Sequence, residues 1–499
     1  MANKWLRVKQ LKCSFRIQFR RSCSSQPKSF KSIPGLSSIP VLGSLHHFLP
    51  VIGTIGIQKN FFNMLGVLHE KYGSIVKMEG ILARANMVIL YKPEHFDQVY
   101  RAEDTNPLRP GFDSLVYYRT VLRKSTYNGV YGLTTAQDEK WRHFRTKVNP
   151  ALLKPKLVKL YAPALDEIAK EMVDRLIKLN GKGDYLQKNL DLEMTKWALE
   201  SIALVGLGNR LGCMEDNLKQ DHPGRQLIQC ARDMMELAYK LEFFPSLWQK
   251  YSTKNFKKLV KTYDLQWDVS KMYIDEAKRQ INERGHDIPE EDKSILEKLL
   301  SIDENVALMM ANEMLMAGID TVAFSTTGVL YHLAINPEVQ KKAREEARSA
   351  EPQKRYIRAC IKESLRIYPV IPANLRRTGK DHIVAGYHIP KGIDVIAPNE
   401  FLSKLDKYYP RAKEFIPERW LVEKTHPLYY GNAHPMITLP FGFGIRSCIG
   451  RRIAEMEIET FLRKFLDKVE VGWEGPPIEV ETKVMNLFVK PYRFKFKSI

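Results

Sequence analysis

Along most of the chain, apolar positions recur at three- and four-residue intervals, the spacing that gathers them on one face of an α-helix. Such runs cover residues 138–149, 155–178, 191–207, 225–242, 256–284 and 452–468. Short β-like runs are fewer and predict strands near 74–78, 87–90 and 488–496. The longest helical pattern spans 293–335, and from Val306 to Ala334 it is apolar on nearly every face, broken by Glu313, Asp320 and His332. That length suffices to cross a bilayer. Ionisable groups at mid-span are costly in lipid, however, and a buried helix at the centre of a large domain has the same all-round apolar character. The pattern therefore predicts a mainly helical protein with a small β lobe, built round a buried central helix.

Ile33-Pro34-Gly35, Pro40, Leu42-Gly43 and Pro50 make a turn-rich joint, after which no repeat or linker interrupts the chain, so residues 33–499 read as one domain. Residues 1–32 differ in kind. They are Ser-rich and carry Lys4, Arg7, Lys9, Lys12, Arg16, Arg20, Arg21, Lys28 and Lys31, while the first acidic residue of the chain is Glu70. This is the composition of a mitochondrial transit peptide, and no apolar run follows the charges to make a secretory signal or an anchor. Without the leader the formal charge of +21 falls to +12. No basic run interleaved with aromatics occurs in the remainder, which argues against nucleic acid and for a basic docking face or an anionic membrane surface. Six irregularly spaced cysteines, with no CxxC pair, suggest neither a zinc ribbon nor a disulfide framework.

One of those cysteines sits in an unusual setting, Pro440-Phe441-Gly442-Phe443-Gly444-Ile445-Arg446-Ser447-Cys448-Ile449-Gly450. Two glycines permit a tight loop that turns backbone N–H groups towards sulfur, and Gly450 opens an amphipathic helix whose positive end favours a thiolate. Phe441 can shield that sulfur from water. Position by position the run resembles FxxGxRxCxG, the cysteine-ligand loop of the cytochromes P450. The resemblance implies that family's fold, haem b with Cys448 as the axial iron ligand, and dioxygen as co-substrate. Other family elements then appear in the family's order. Ala317-Gly318-Ile319-Asp320-Thr321 resembles the oxygen-activation element, with Ala317 and Gly318 leaving room over the haem, Thr321 steadying activated oxygen and Asp320 relaying protons. Glu363, Arg366 and Arg419 correspond to a structural charge triad. Trp141 and Arg145, one helical turn apart, together with Arg376 and Arg446, correspond to residues that bind the haem propionates.

Further details are similar to the mitochondrial clan, and within it to insect members. Arg358 and Lys362 lie four apart on the ExxR helix, and Arg451-Arg452 follow Gly450. The resemblance implies that these four cations dock an acidic ferredoxin, itself reduced by an NADPH-dependent reductase, and that the enzyme associates peripherally with the matrix side of the inner mitochondrial membrane. The substrate-facing segments implied by the family fall near 105–130, 228–245, 305–321, 369–375 and 484–488. Phe112, Tyr117, Phe243, Phe244, Val370 and Met485 there suggest an apolar, adaptable pocket for a xenobiotic or steroid-like substrate. A haem-thiolate isomerase or dehydratase, and a non-catalytic haem- or lipid-binding relative, are the alternatives. One departure stands out: the segment before the ExxR helix, around Ala350–Arg355, is shorter than the resemblance implies.

Overall fold

The predicted long helices form, with boundaries moved by local capping chemistry. They are Asp138–Leu153, Tyr185–Leu207, Pro223–Glu242, Lys254–Arg284 and Arg451–Lys468. The computed structural model describes residues 26–499 apart from 41–42, 50–52, 57–59, 81–84, 104, 182, 217, 245, 286–287, 290–292 and 351–353. Most of the predicted leader, and part of the short join near Ala350, lie outside the described residues. Lys28 nevertheless pairs with the body, its N–H donating to Gly386 O and its carbonyl accepting from His388 N, so the folded part begins ahead of Ile33.

Two predicted helices are each broken in two. The run 155–178 becomes Pro155–Leu160 and Ala162–Asn180, with Pro163 starting the second piece, where a missing N–H costs nothing. The run 293–335 becomes Ile295–Leu300 and Glu304–Ala334, because Asp303 accepts a hydrogen bond from Val306 N at 3.2 Å and caps the second helix. That second helix is long and apolar enough to cross a membrane. Here it runs through the protein interior, and from Val306 to Ala334 exposure is confined to Leu308 and the stretch 316–321, apart from Ile319. Tyr185–Leu207 packs along it, and Pro223–Glu242 and Lys254–Arg284 cover its first half.

The β lobe is small. Ile75–Met78, Met87–Leu90, Asp394–Ala397 and Asn374–Arg377 form one sheet in that order, with the middle pair parallel and the outer pairs antiparallel. The run predicted at 488–496 divides into Asn486–Phe488 and Phe494–Ser498, which belong to different two-stranded sheets. The short join before the ExxR helix is closed by side chains on either side of it. Glu346 of Pro337–Arg348 accepts from Tyr356 N and Ile357 N, both at 2.8 Å, and so caps Arg355–Ile367. Lys354 Nζ donates back to Glu346 O at 2.7 Å and Ser349 O at 2.8 Å.

Candidate functional site

Cys448 lies at the end of a loop made possible by Gly442 and Gly444, both left-handed at φ 76° and 65°. Its N–H donates to Phe441 O at 2.8 Å, and Gly450 N-caps Arg451–Lys468. Among the described cysteines Cys213, Cys230 and Cys360 are buried, whereas Cys448 is exposed. Protein still surrounds it deeply enough that burial pushes its thiol up, opposed by the Gly450 backbone, Arg145, Arg109 and Arg451. A sulfur that solvent reaches at the floor of a cleft fits both facts. Phe441 is half-buried beside it, under the guanidinium of Arg451 at 5.2 Å.

Around this loop the chain gathers cations. Arg446 stacks on Trp141 at 4.0 Å and donates to Pro107 O, Ala136 O and Gln137 Oε1. Trp141 and Arg145 share the buried face of Asp138–Leu153, and Arg145 Nε donates to Asn149 Oδ1 at 2.8 Å. Arg376 donates to Phe443 O at 3.1 Å and pairs with Glu103 at 2.9 Å. Burial, Arg109, Arg376 and Arg145 together push the Arg446 guanidinium down to about 9. Burial likewise pushes the Glu103 carboxyl up to about 7 against the pull of Arg376. Arg109 belongs to the group although no motif marks it; it is open to solvent, yet enough protein surrounds it that burial pushes its guanidinium down, within electrostatic reach of Arg376, Cys448 and Glu313. Four arginines with one carboxylate among them call for anions. That donor set fits a group bearing two carboxylates beside a thiolate-ligated metal.

Asp320 and Thr321 lie in the part of the central helix that is partly exposed. Thr321 Oγ1 donates to Ala317 O at 2.7 Å, the back-bond that loosens a helix locally. Ala317 is exposed. A β-carbon at Gly318 would fall 2.7 Å from Ile202 Cγ1, so its lack of a side chain also lets two helices close on each other. Burial pushes the Asp320 carboxyl up to about 6, with Arg232 pulling it down and Asp191 pushing it up. Asp191 is bonded to Arg232 at 2.9 Å and to the half-exposed Lys490.

The triad forms completely. Glu363 takes Arg366 at 2.7 and 3.0 Å, Arg419 Nε at 3.0 Å, Trp420 Nε1 at 3.0 Å and Ile416 N at 3.2 Å, with all three charged side chains wholly buried. Arg366 and Arg419 spend further donors on the carbonyls of Ser403, Glu414 and Arg411. It holds four segments together and touches none of the residues round Cys448. Arg358, Lys362, Arg451 and Arg452 are all exposed. Arg358 is paired with Glu459 at 2.6 Å and Arg451 with Glu455 at 3.0 Å. Lys362 lies over the Trp420 ring, and Arg452 donates to Leu153 O.

The Cytochrome P450 family model matches residues 33–497. The chain belongs to the cytochrome P450 family. It is 37% identical to cytochrome P450 CYP12A2 of Musca domestica, over 96% of this chain and 93% of the relative. It is 38% identical to the probable cytochrome P450 12b2, mitochondrial, of Drosophila melanogaster, over 95% of this chain and 90% of the relative. Membership makes the protein a haem monooxygenase, an oxidoreductase that uses dioxygen and a cysteine thiolate on iron. This P450 keeps its apolar residues in two distinct roles. Met309, Met310, Val370 and Met485 are buried in the core, but Phe243 and Phe244, expected in the pocket, are 56% and 51% exposed. They follow the end of Pro223–Glu242 and pack against Tyr239, Phe243 tilted to its ring and Phe244 edge-on.

Proposed function

We propose that this P450 hydroxylates an apolar small molecule with electrons delivered singly by an acidic ferredoxin inside the mitochondrion. The observation that carries the reading is the partly exposed stretch Ala317–Thr321 of an otherwise buried helix, whose Glu313, like Cys448, lies within electrostatic reach of Arg109. Haem held through Cys448 would supply the iron needed to cleave dioxygen, with the Cys448 thiolate as its electron donor. Arg109, Arg145, Arg376, Arg446 and Trp141 would hold its carboxylates. Thr321 keeps a hydroxyl at the site. Asp320, half protonated near pH 6, takes protons from the Asp191–Arg232–Lys490 group at the surface and passes them inward. One oxygen atom enters the substrate, and the other leaves as water with two protons and two electrons.

The mitochondrial assignment is supported by the acid-free leader and by relatives named mitochondrial. Ferredoxin docking is supported by exposed cations on Arg355–Ile367 and Arg451–Lys468, the helix that follows Cys448. Membrane association is supported by a surface patch of Phe243, Phe244, Leu247 and Tyr251, each half-exposed or more, among exposed Lys240, Lys250, Lys254, Lys257 and Lys258. The test is the carbon monoxide difference spectrum of the reduced protein beside Cys448→His, followed by NADPH consumption with ferredoxin and its reductase. The thiolate band in the wild type, its loss in the variant and ferredoxin-dependent product formation are expected. Haem binding without that band, or turnover independent of ferredoxin, would overturn the reading.

A further inference from the structure

Between the cysteine loop and the central helix runs a segment whose anchoring none of the motifs accounts for. It starts at Phe112, left-handed at φ 56°, passes through Asp113–Tyr117 and a π-helical turn Tyr118–Leu122, and reaches Gln137. Three carboxylates from three helices hold it. Glu242 accepts from Ser114 N at 3.0 Å and Ser114 Oγ at 2.6 Å. Asp264 accepts from the Tyr118 hydroxyl at 2.8 Å and binds Arg123 in a fork at 2.9 and 2.7 Å.

Glu313, on the central helix, makes the innermost of the three contacts. It pairs with Arg119 at 2.7 Å and accepts from Leu133 N at 2.7 Å and Thr134 N at 3.3 Å. Arg119 donates onward to Tyr131 O at 2.7 Å, and both side chains are buried, 5% and 7% exposed. Gly132 sits at φ 78°, where a β-carbon would fall 2.4 Å from Glu313 Oε1, so the backbone lies directly on the carboxylate. From the other side Arg446 grips the same backbone at Leu133 O and Ala136 O and donates to the side-chain oxygen of Gln137, whose amide in turn holds the Arg109 backbone. One chain of contacts thus joins the central helix to the cations beside Cys448.

We propose that Glu313 is a positioning residue for ligands over Cys448: it clamps residues 119–134 to the central helix two turns ahead of Asp320-Thr321 and so sets the room a bulky ligand finds there. A buried ion pair adds little net stability over an apolar replacement, so geometry is the main thing this carboxylate supplies. The π-turn that carries Arg119 holds one residue more than an α-turn, a conformation concentrated at functional sites, and release of the clamp lets the residues after it shift.

The test uses the haem-loaded protein and two azoles whose nitrogen binds iron, imidazole as the small probe and clotrimazole as the bulky one. Glu313→Gln keeps the side chain's shape and one acceptor. It is expected to keep the carbon monoxide spectrum and the imidazole Kd, to change the clotrimazole Kd about tenfold, and to speed hydrogen exchange of amides in 113–134. The ratio of the two Kd values is the readout that a purely structural role leaves unmoved. An unchanged ratio with unchanged exchange overturns the proposal. If Glu313→Gln loses haem, Gly132→Ala leaves both charges in place and displaces the same backbone. A changed ratio in that variant supports the clamp, and equal changes for both azoles overturn it.

Discussion

Three ionisable residues interrupt the apolar central helix, and each is accommodated differently. Glu313 is paired with Arg119 at 2.7 Å. His332 lies between the Phe415 and Tyr368 rings with Ser364 Oγ at 3.1 Å from Nδ1, and burial pushes it down to about 3, so it stays neutral. Asp320 has burial pushing its carboxyl up to about 6. The native state therefore holds that proton more tightly than the unfolded chain, where the carboxyl titrates near about 3.9. The stability it lends is complete below about pH 4 and is lost as pH rises through about 6. Asp320→Asn should accordingly gain on the wild type between pH 4 and 7, by about 2 kcal/mol, and then level off. Thermal midpoints of both proteins across that range check it, and a pH-independent difference would sink the assignment of a raised carboxyl. Turnover of the variant should fall about a hundredfold, with the limb near pH 6 gone from its pH profile. Cys448 and its glycines were legible as residues because a long pattern surrounds them. Arg109 and Glu103 were not: each reaches the site from an irregular segment, where no periodicity tells which side chains turn inward.

Helix pairs are decided by contacts that a one-dimensional pattern does not display. A β-carbon at Gly318 would meet Ile202 Cγ1 at 2.7 Å, and one at Gly206 would meet Met314 Cε at 3.4 Å, so at each glycine the helix receives a side chain of its neighbour, most tightly at Gly318. Alanine in a helix is favoured over glycine by about 1 kcal/mol, whereas overpacking costs about 1–3 kcal/mol. Gly318→Ala should therefore fail to stabilise the protein. Combined with Ile202→Ala, it should show a favourable coupling of about 1 kcal/mol in a denaturation cycle, and additive effects would rule out the close approach. The same limit explains which elements could be read in advance. Lys254–Arg284 and Pro223–Glu242 bury one face each, and their periodicity is plain in the sequence. The breaks at Tyr161 and at 301–303 were missed because apolar spacing continues across them while Pro163 and Asp303 begin new helices. The fold class was legible from the dominance of long periodic runs. The small strands round 374–397 were not, since three or four residues are too few to establish a period.

Charge and apolar surface divide the outside of the molecule into faces that respond differently to salt. The cations behind the cysteine loop stand on Arg355–Ile367 and Arg451–Lys468, and the exposed aromatic patch stands between Pro223–Glu242 and Lys254–Arg284. On the first face Arg358 and Arg451 are already engaged by Glu459 and Glu455. Among the described residues Lys362 and Arg452 have no carboxylate partner, so they can reach a docking protein without breaking an existing pair. Steering by such charges multiplies association rates about 10- to 1,000-fold and is screened beyond about 8 Å at physiological salt. Reduction by an acidic ferredoxin should therefore slow steeply as salt rises. Lys362→Glu with Arg452→Glu should slow it at low salt and flatten the salt dependence. The aromatic patch should behave otherwise, because burying Phe243 and Phe244 in a bilayer depends on apolar area, which salt does not screen. Phe243→Ser with Phe244→Ser should weaken binding to anionic vesicles at every salt concentration and leave reduction by ferredoxin unchanged. If the glutamate pair weakened vesicle binding instead, or the serine pair slowed reduction, the two faces would have been assigned the wrong way round.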